Sequence, residues 1–117
     1  MGFDVGIDIV EIKRFLDYDK TDIRLSKWFS VGELDYCFRK NPACESLAGK
    51  FAAKEAIIKI LTDQGINISH LREIEILNDE RGKPFVNSSP LQRFNGKIRI
   101  SISHDGDFAI AVALMDK

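Results

Sequence analysis

The sequence predicts an α+β fold, and three observations carry the prediction. Residues near the N-terminus alternate apolar and polar as a strand does. The middle of the chain holds one long helix, apolar over most of its circumference. After Leu71 the period returns to that of strands and is broken by two turn signals. An N-terminal strand, helices, and two antiparallel hairpins packed on a long buried central helix account for the whole chain as one domain, residues 1–117.

Each element has its own justification. Phe3, Val5, Ile7 and Ile9 alternate with Asp4, Gly6 and Asp8, which is strand periodicity. Ile12, Phe15 and Leu16 then follow at helical spacing. The polar stretch YDKTDIRLSKWFS reads as a loop or a short helix. SVGELDYCFRK reads as a helix, with Ser30 as its cap and Glu33 completing an S-x-x-E box. Asn41-Pro42 breaks it, and the central helix runs from about Cys44 to Asp63. NDERGKP is the turn of a first hairpin between Ile74–Leu77 and Phe85-Val86. Ser88 to Asn95 is a connector with room for one helical turn. Lys97 to Ser103 alternates again, Asp105-Gly106 marks a tight turn, and Phe108 to Met115 is a final apolar strand with both faces expected to be covered.

Composition narrows the function classes. The 117 residues are 44% hydrophobic and 30% charged, with a net charge of −1, as in a soluble globular domain. Such a balance offers no global field for nucleic acid. No stretch is apolar enough to span a bilayer and no signal peptide is evident, so the cytoplasm is the expected compartment. Cys37 and Cys44 form no CxxC motif and read as ordinary reduced thiols.

The central helix poses the chemical question. At about 3.6 residues per turn, Leu47, Phe51 and Ile58 share one face, and Ala48, Ala52, Ala56, Ile57, Ile60 and Leu61 cover much of the rest. Glu55 falls inside this apolar arc. A buried unpaired carboxylate is costly, so Glu55 is expected to meet either Lys59, as an i,i+4 ion pair, or a metal; spacing alone favours the ion pair. Lys50 and Lys54 lie on a separate edge, expected to reach water.

Two further polar residues stand in apolar settings. Asp8 in GIDIVEI has a local reading as a helix cap, with Glu11 as the partner of a D-x-x-E box, and a functional reading as a metal ligand at a strand–helix junction. His104 in SISHDGDF reads as a turn histidine, or as a group that meets an anionic ligand with Ser101 and Ser103 beside it. Two carboxylates suit Mg²⁺, which is often held by only one or two of them with phosphate and water completing the shell. Lysines neutralise phosphate oxygens as point charges. The set points to phosphoryl-type transfer and names no substrate.

Four blocks, GIDIVEIKRF, LAGKFAAKEAIIK, NDERGKPFV and SISHDGDFAIAVAL, stand in an order that resembles the small trimeric, holo-acyl-carrier-protein synthase type of 4′-phosphopantetheinyl transferase over nearly the whole chain. The resemblance implies that fold. It also implies transfer of the phosphopantetheine arm of coenzyme A to a serine of an apo-acyl carrier protein, with Mg²⁺ and release of 3′,5′-ADP. By position, Asp8 and Glu55 match the metal carboxylates, Lys59 a pyrophosphate contact, Lys50 a coenzyme A phosphate contact, and His104 the histidine of the S-x-S-H block. The resemblance further implies homotrimers with sites at protomer boundaries, His104 coming from the neighbour, and an acidic carrier docked on Arg14 with Arg24 as a second contact. Either Glu55 or water on the metal takes the serine proton. The segment LTDQGIN departs from the family's glycine-rich turn, keeping only Gly65. It favours the alternative of a non-catalytic homologue that binds coenzyme A or a carrier; a ligand-free scaffold is the reading from a different class.

Overall fold

The computed structural model describes residues 2–94 and 96–116. The expected α+β architecture is present. Strand β1 spans Phe3–Glu11, helix α1 Val31–Phe38 and helix α2 Ala43–Asp63. Strands β2 (Ile76–Asn78) and β3 (Pro84–Val86) form a small antiparallel hairpin. Strands β4 (Ile98–Asp105) and β5 (Phe108–Asp116) form a longer one. β1 pairs antiparallel with β5, so the main sheet runs β1-β5-β4. The turn between β4 and β5 uses Gly106 at φ +58°, which a residue without Cβ adopts readily. The connector after β3 is a 3-10 helix over Ser89–Phe94; Asn95, expected to end it, lies outside the described residues.

Helix α2 lies across the main sheet. Ala109, Ala111, Ala113 and Met115 of β5 are buried against it, and three small side chains in the row let helix and strand come close. A cluster of Phe15, Tyr18, Trp28, Phe29 and Phe51 closes one end of the core with tilted and edge-on ring contacts. Helix α1 begins as expected. The Glu33 N–H donates to Ser30 Oγ, and the Ser30 N–H donates to Glu33 Oε1, completing the capping box. Cys37 and Cys44 are buried and free, and burial pushes the Cys37 thiol up to about 12, so it stays protonated.

Three expectations need correction. Asp8 caps no helix: β1 continues to Glu11, and the short 3-10 helix over Ile12–Phe15 has no side-chain cap. The final strand is covered on one face only within the chain. Its outer face, continued by β1, leaves Phe3, Val5, Ile7, Ile9, Phe108 and Ile110 exposed, because the face of β1 turned to α2 is the one carrying Gly6 and Val10. Lys50 and Lys54 do not reach water; they are 3% and 0% exposed. The segment from Leu71 to Asn78 folds over that edge of α2 and supplies acceptors. Lys54 Nζ donates to Glu33 Oε1 at 2.7 Å and to the carbonyls of Ile74 and Leu71. Lys50 Nζ donates to the Ile76 carbonyl and to Asn78 Oδ1. Glu33, read from the sequence only as a capping partner, also accepts from the Ile76 N–H and is itself fully buried. Among the described residues, no helix is long and apolar enough to cross a membrane.

Candidate active site

The contact between β1 and α2 is unusually close at Gly6. A Cβ there would lie 2.0 Å from the Ala56 carbonyl oxygen, so only glycine lets the strand touch the helix at that level. Asp8 is two residues on and on the same face of β1, opposite Ala111 of β5. The close approach brings Asp8 to the turn of α2 that carries Glu55 and Lys59. Gly6 was not singled out from the sequence; a glycine inside an alternating strand is the signal that marks it.

Lys59 crosses from helix to strand. Its Nζ donates to the Ile7 carbonyl at 2.6 Å and meets Asp8 Oδ1 at 3.3 Å. The expected Glu55–Lys59 pair does not form: among the described residues, the ion-pair partner of Lys59 is Asp8. Glu55 stands half-buried on the wall of a hollow of about 600 Å³, shared with Asp8, Val10, Arg14, Phe51 and Phe108. Its carboxyl is held above the usual glutamate range, chiefly by burial and next by the charge of Asp8; Lys59 and Arg14 pull the other way. The two carboxylates therefore repel each other across the hollow.

Arg14 lines the same hollow. Its guanidinium lies 4.5 Å from the Phe51 ring centroid and also faces the rings of Phe15 and Trp28. No carboxylate lies within ion-pair distance of it among the described residues, so its charge is carried on an aromatic shelf and remains available. Arg24 is differently placed. It binds Asp22 through two nitrogens, at 3.0 and 2.7 Å, and stacks over Tyr18.

His104 is not brought to this hollow by its own chain. Its Nε2 lies 2.8 Å from the Glu45 carbonyl, in the first turn of α2, about 15 Å along the helix axis from Glu55. Ser101 and Ser103 do not stand beside it; strand alternation puts them on the outer face, paired with Val112 and Ile110. The ammonium of Lys50 is committed to the Ile76 carbonyl and Asn78 Oδ1, and Lys50 does not line the hollow. In the LTDQGIN segment, Gly65 has φ +74°, and the N–H groups of Gln64, Gly65 and Ile66 donate to the carbonyls of Leu61 and Thr62. Those donors close the helix.

A model of the 4′-phosphopantetheinyl transferase superfamily matches residues 4–113, nearly the whole chain. The chain belongs to this superfamily. Within it, the chain is an enzyme of the holo-[acyl-carrier-protein] synthase type. The synthase of Halothermothrix orenii is 43% identical over 115 residues, with 92% of this chain and 91% of that one covered. That of Chlorobaculum tepidum is 42% identical over 115 residues, covering 97% of each. Among solved structures, an ACPS-CoA complex from Chronobacterium ammoniagenes superposes with a TM-score of 0.81 at 28% identity, over 98% of this chain and 97% of that one. The Helicobacter pylori synthase in complex with coenzyme A gives 0.74 at 32% identity, over 97% of this chain and all of that one.

Proposed function

We propose that this transferase moves the 4′-phosphopantetheine arm of coenzyme A to a serine of an apo-acyl carrier protein, releasing 3′,5′-ADP, with Mg²⁺ as cofactor. One observation carries the reading: Asp8, Glu55 and Lys59 converge where β1 touches α2, on the edge of a hollow that also presents Arg14. Relatives described as holo-[acyl-carrier-protein] synthases, and neighbours solved with coenzyme A, supply the substrate classes.

The residues fit a hard divalent cation. Both donors are carboxylates, and no group of three or more His, Cys, Asp or Glu side chains that could enclose a metal occurs among the described residues. Such a half-built shell suits Mg²⁺, which keeps water and takes phosphate oxygens as further ligands. Asp8 and Glu55 would hold it. Bound there, it supplies Lewis-acid stabilisation of charge on the pyrophosphate. Lys59, fixed between Ile7 and Asp8, neutralises phosphate oxygens from the side. The serine oxygen forms a bond to the phosphorus nearest the pantetheine arm while the bond to the bridging oxygen breaks in line, its electron pair leaving with 3′,5′-ADP, and the serine proton passes to Glu55 or to water. As cation ligand or as proton acceptor, Glu55 must be ionised.

The direct test mixes the protein with coenzyme A, Mg²⁺ and an apo carrier, and follows the carrier by intact mass. A gain of one phosphopantetheine that disappears with EDTA is the expected outcome. No gain with several carriers, while coenzyme A still binds, would favour the non-catalytic homologue. Lys50 is not assigned to phosphate here, because its ammonium is already bonded inside the fold.

Arg14 is proposed as the main contact for an acidic carrier, since its guanidinium is engaged in no ion pair among the described residues. Arg14→Glu is expected to raise the KM for the carrier about tenfold, equivalent to about 1.4 kcal/mol, with coenzyme A affinity unchanged. Arg24→Glu should have a smaller effect, because Asp22 already occupies Arg24. Equal loss of carrier and coenzyme A binding in the Arg14 variant would remove it from the docking surface.

The exposed outer sheet face is proposed as the surface on which three copies associate. It is a contiguous apolar stripe on β1 and β5, including Ile7, Ile9 and Ile110, and a contiguous exposed apolar patch of this kind marks an interaction surface. A homotrimer would also supply His104 from a neighbour to a site it does not reach in its own chain. Light scattering is expected to give three times the chain mass, and Ile110→Glu to yield the monomer with loss of turnover. A stable wild-type monomer would sink the shared-site reading.

A further inference from the structure

We propose that Gly49 is a positioning residue for His104: its missing side chain opens a slot beside α2 in which the imidazole is fixed with its Nε2 proton on the Glu45 carbonyl, leaving Nδ1 as the nitrogen offered to a ligand phosphate. The slot and the tautomer stand on geometry alone. The phosphate step rests on the function proposed above.

A glycine in a helix interior costs about 1 kcal/mol relative to alanine. Helix α2 uses alanine wherever it needs a small buried residue, at positions 48, 52, 53 and 56. At position 49 even a methyl is too large. A Cβ built there would lie 2.8 Å from Ile102 Cγ2 and 3.0 Å from His104 Nε2. Neither neighbour gives way easily. Ile102 Cγ2 sits on a β-branched carbon, stiff about its first torsion. β4 is itself held in register, with Ile102 opposite Ala111 and His104 opposite Ala109. Gly49 is thus the point at which β4 lies directly on the helix.

The tautomer follows from the partner. A carbonyl oxygen can only accept, so an Nε2 that lies 2.8 Å from the Glu45 oxygen must carry the proton. In the neutral ring, Nδ1 is then the acceptor; in the cationic ring it becomes a second donor, the form a phosphate oxygen takes. The slot therefore sets which edge of the ring points outward.

The test reads the tautomer directly. Uniformly ¹⁵N-labelled protein is examined by long-range ¹H–¹⁵N correlation at alkaline pH, where an ordinary imidazole is neutral. His70→Gln removes the other of the two histidines from the spectrum. The expected wild-type pattern is that of the Nε2–H form. In Gly49→Ala the pattern becomes a mixture, and the KM for coenzyme A rises about tenfold with a smaller change in kcat. If Gly49→Ala fails to fold, Gly49→Ala/Ile102→Ala relieves the 2.8 Å contact and leaves the one on the ring. A wild-type mixture of tautomers, or a Gly49→Ala protein with the wild-type spectrum, overturns the slot. A lost tautomer with unchanged coenzyme A KM overturns the role of Nδ1 while transfer activity stands. A fixed tautomer in a protein that modifies no carrier overturns the proposed function and leaves the slot.

Discussion

Glu55→Gln is expected to reduce phosphopantetheine transfer by at least about 100-fold while leaving the fold intact. The change is nearly isosteric, and Glu55 is only half-buried, so packing is preserved. Ionisation is lost, and with it both the cation ligand and any proton acceptor at that position. Intact mass of the carrier over time is the readout, with thermal unfolding as the control. Near-normal turnover would remove Glu55 from the chemistry. The wild-type pH profile follows the same logic. The Glu55 carboxyl is held above the ordinary glutamate range by burial and by Asp8, so its ionised form is lost at a higher pH than an exposed glutamate's. Activity and cation affinity should therefore begin to fall early as the solution is acidified. Stability moves the other way. Because the folded state favours the protonated group, its stabilising share is fully present below the unfolded pKa and is lost as pH rises through the raised one. Glu55→Gln should abolish both trends.

The second large effect is on stability. Lys54→Met is expected to destabilise the fold by about 3–5 kcal/mol, because it strands a fully buried carboxylate at Glu33. The Leu71 and Ile74 carbonyls lose a donor as well. On a chain of this size, that lowers the midpoint of thermal unfolding by roughly 10 °C or more. Replacing both partners, as Lys54→Met/Glu33→Gln, should cost less than the sum of the single changes, since neither leaves the other charged and alone. A midpoint within a degree or two of wild type would mean that the pair is not sealed from water. Burial pushes the Lys54 ammonium down and Glu33 pulls it back up, so the pair is held by its partner rather than by solvent.

Helix α2, the capping box at Ser30 and Glu33, and both hairpins were legible because each depends on residues close in the chain. The placement of charges was less so. Spacing alone pointed Lys59 at Glu55, one turn away. The fold instead spends Lys59 on Asp8, 51 residues distant, because Gly6 lets β1 lie against that turn of α2. Lys50 and Lys54 looked solvated because their acceptors, carbonyls 17 to 28 residues further on and the Glu33 carboxylate 21 residues back, are invisible to any helical wheel. The alternation in β1 was legible as a strand, but which face packs was not: Phe3, Val5, Ile7 and Ile9 point outward, and the side with Gly6, Asp8 and Val10 meets the helix.

The sequence by itself therefore determined the elements, their order, and the presence of two carboxylates in apolar settings, since periodicity and turn chemistry act over a few residues. The tertiary structure decided which charge meets which, and which sheet face is left open. Those outcomes depend on how closely two backbones can approach, and that is decided where glycines 6 and 49 stand in place of side chains.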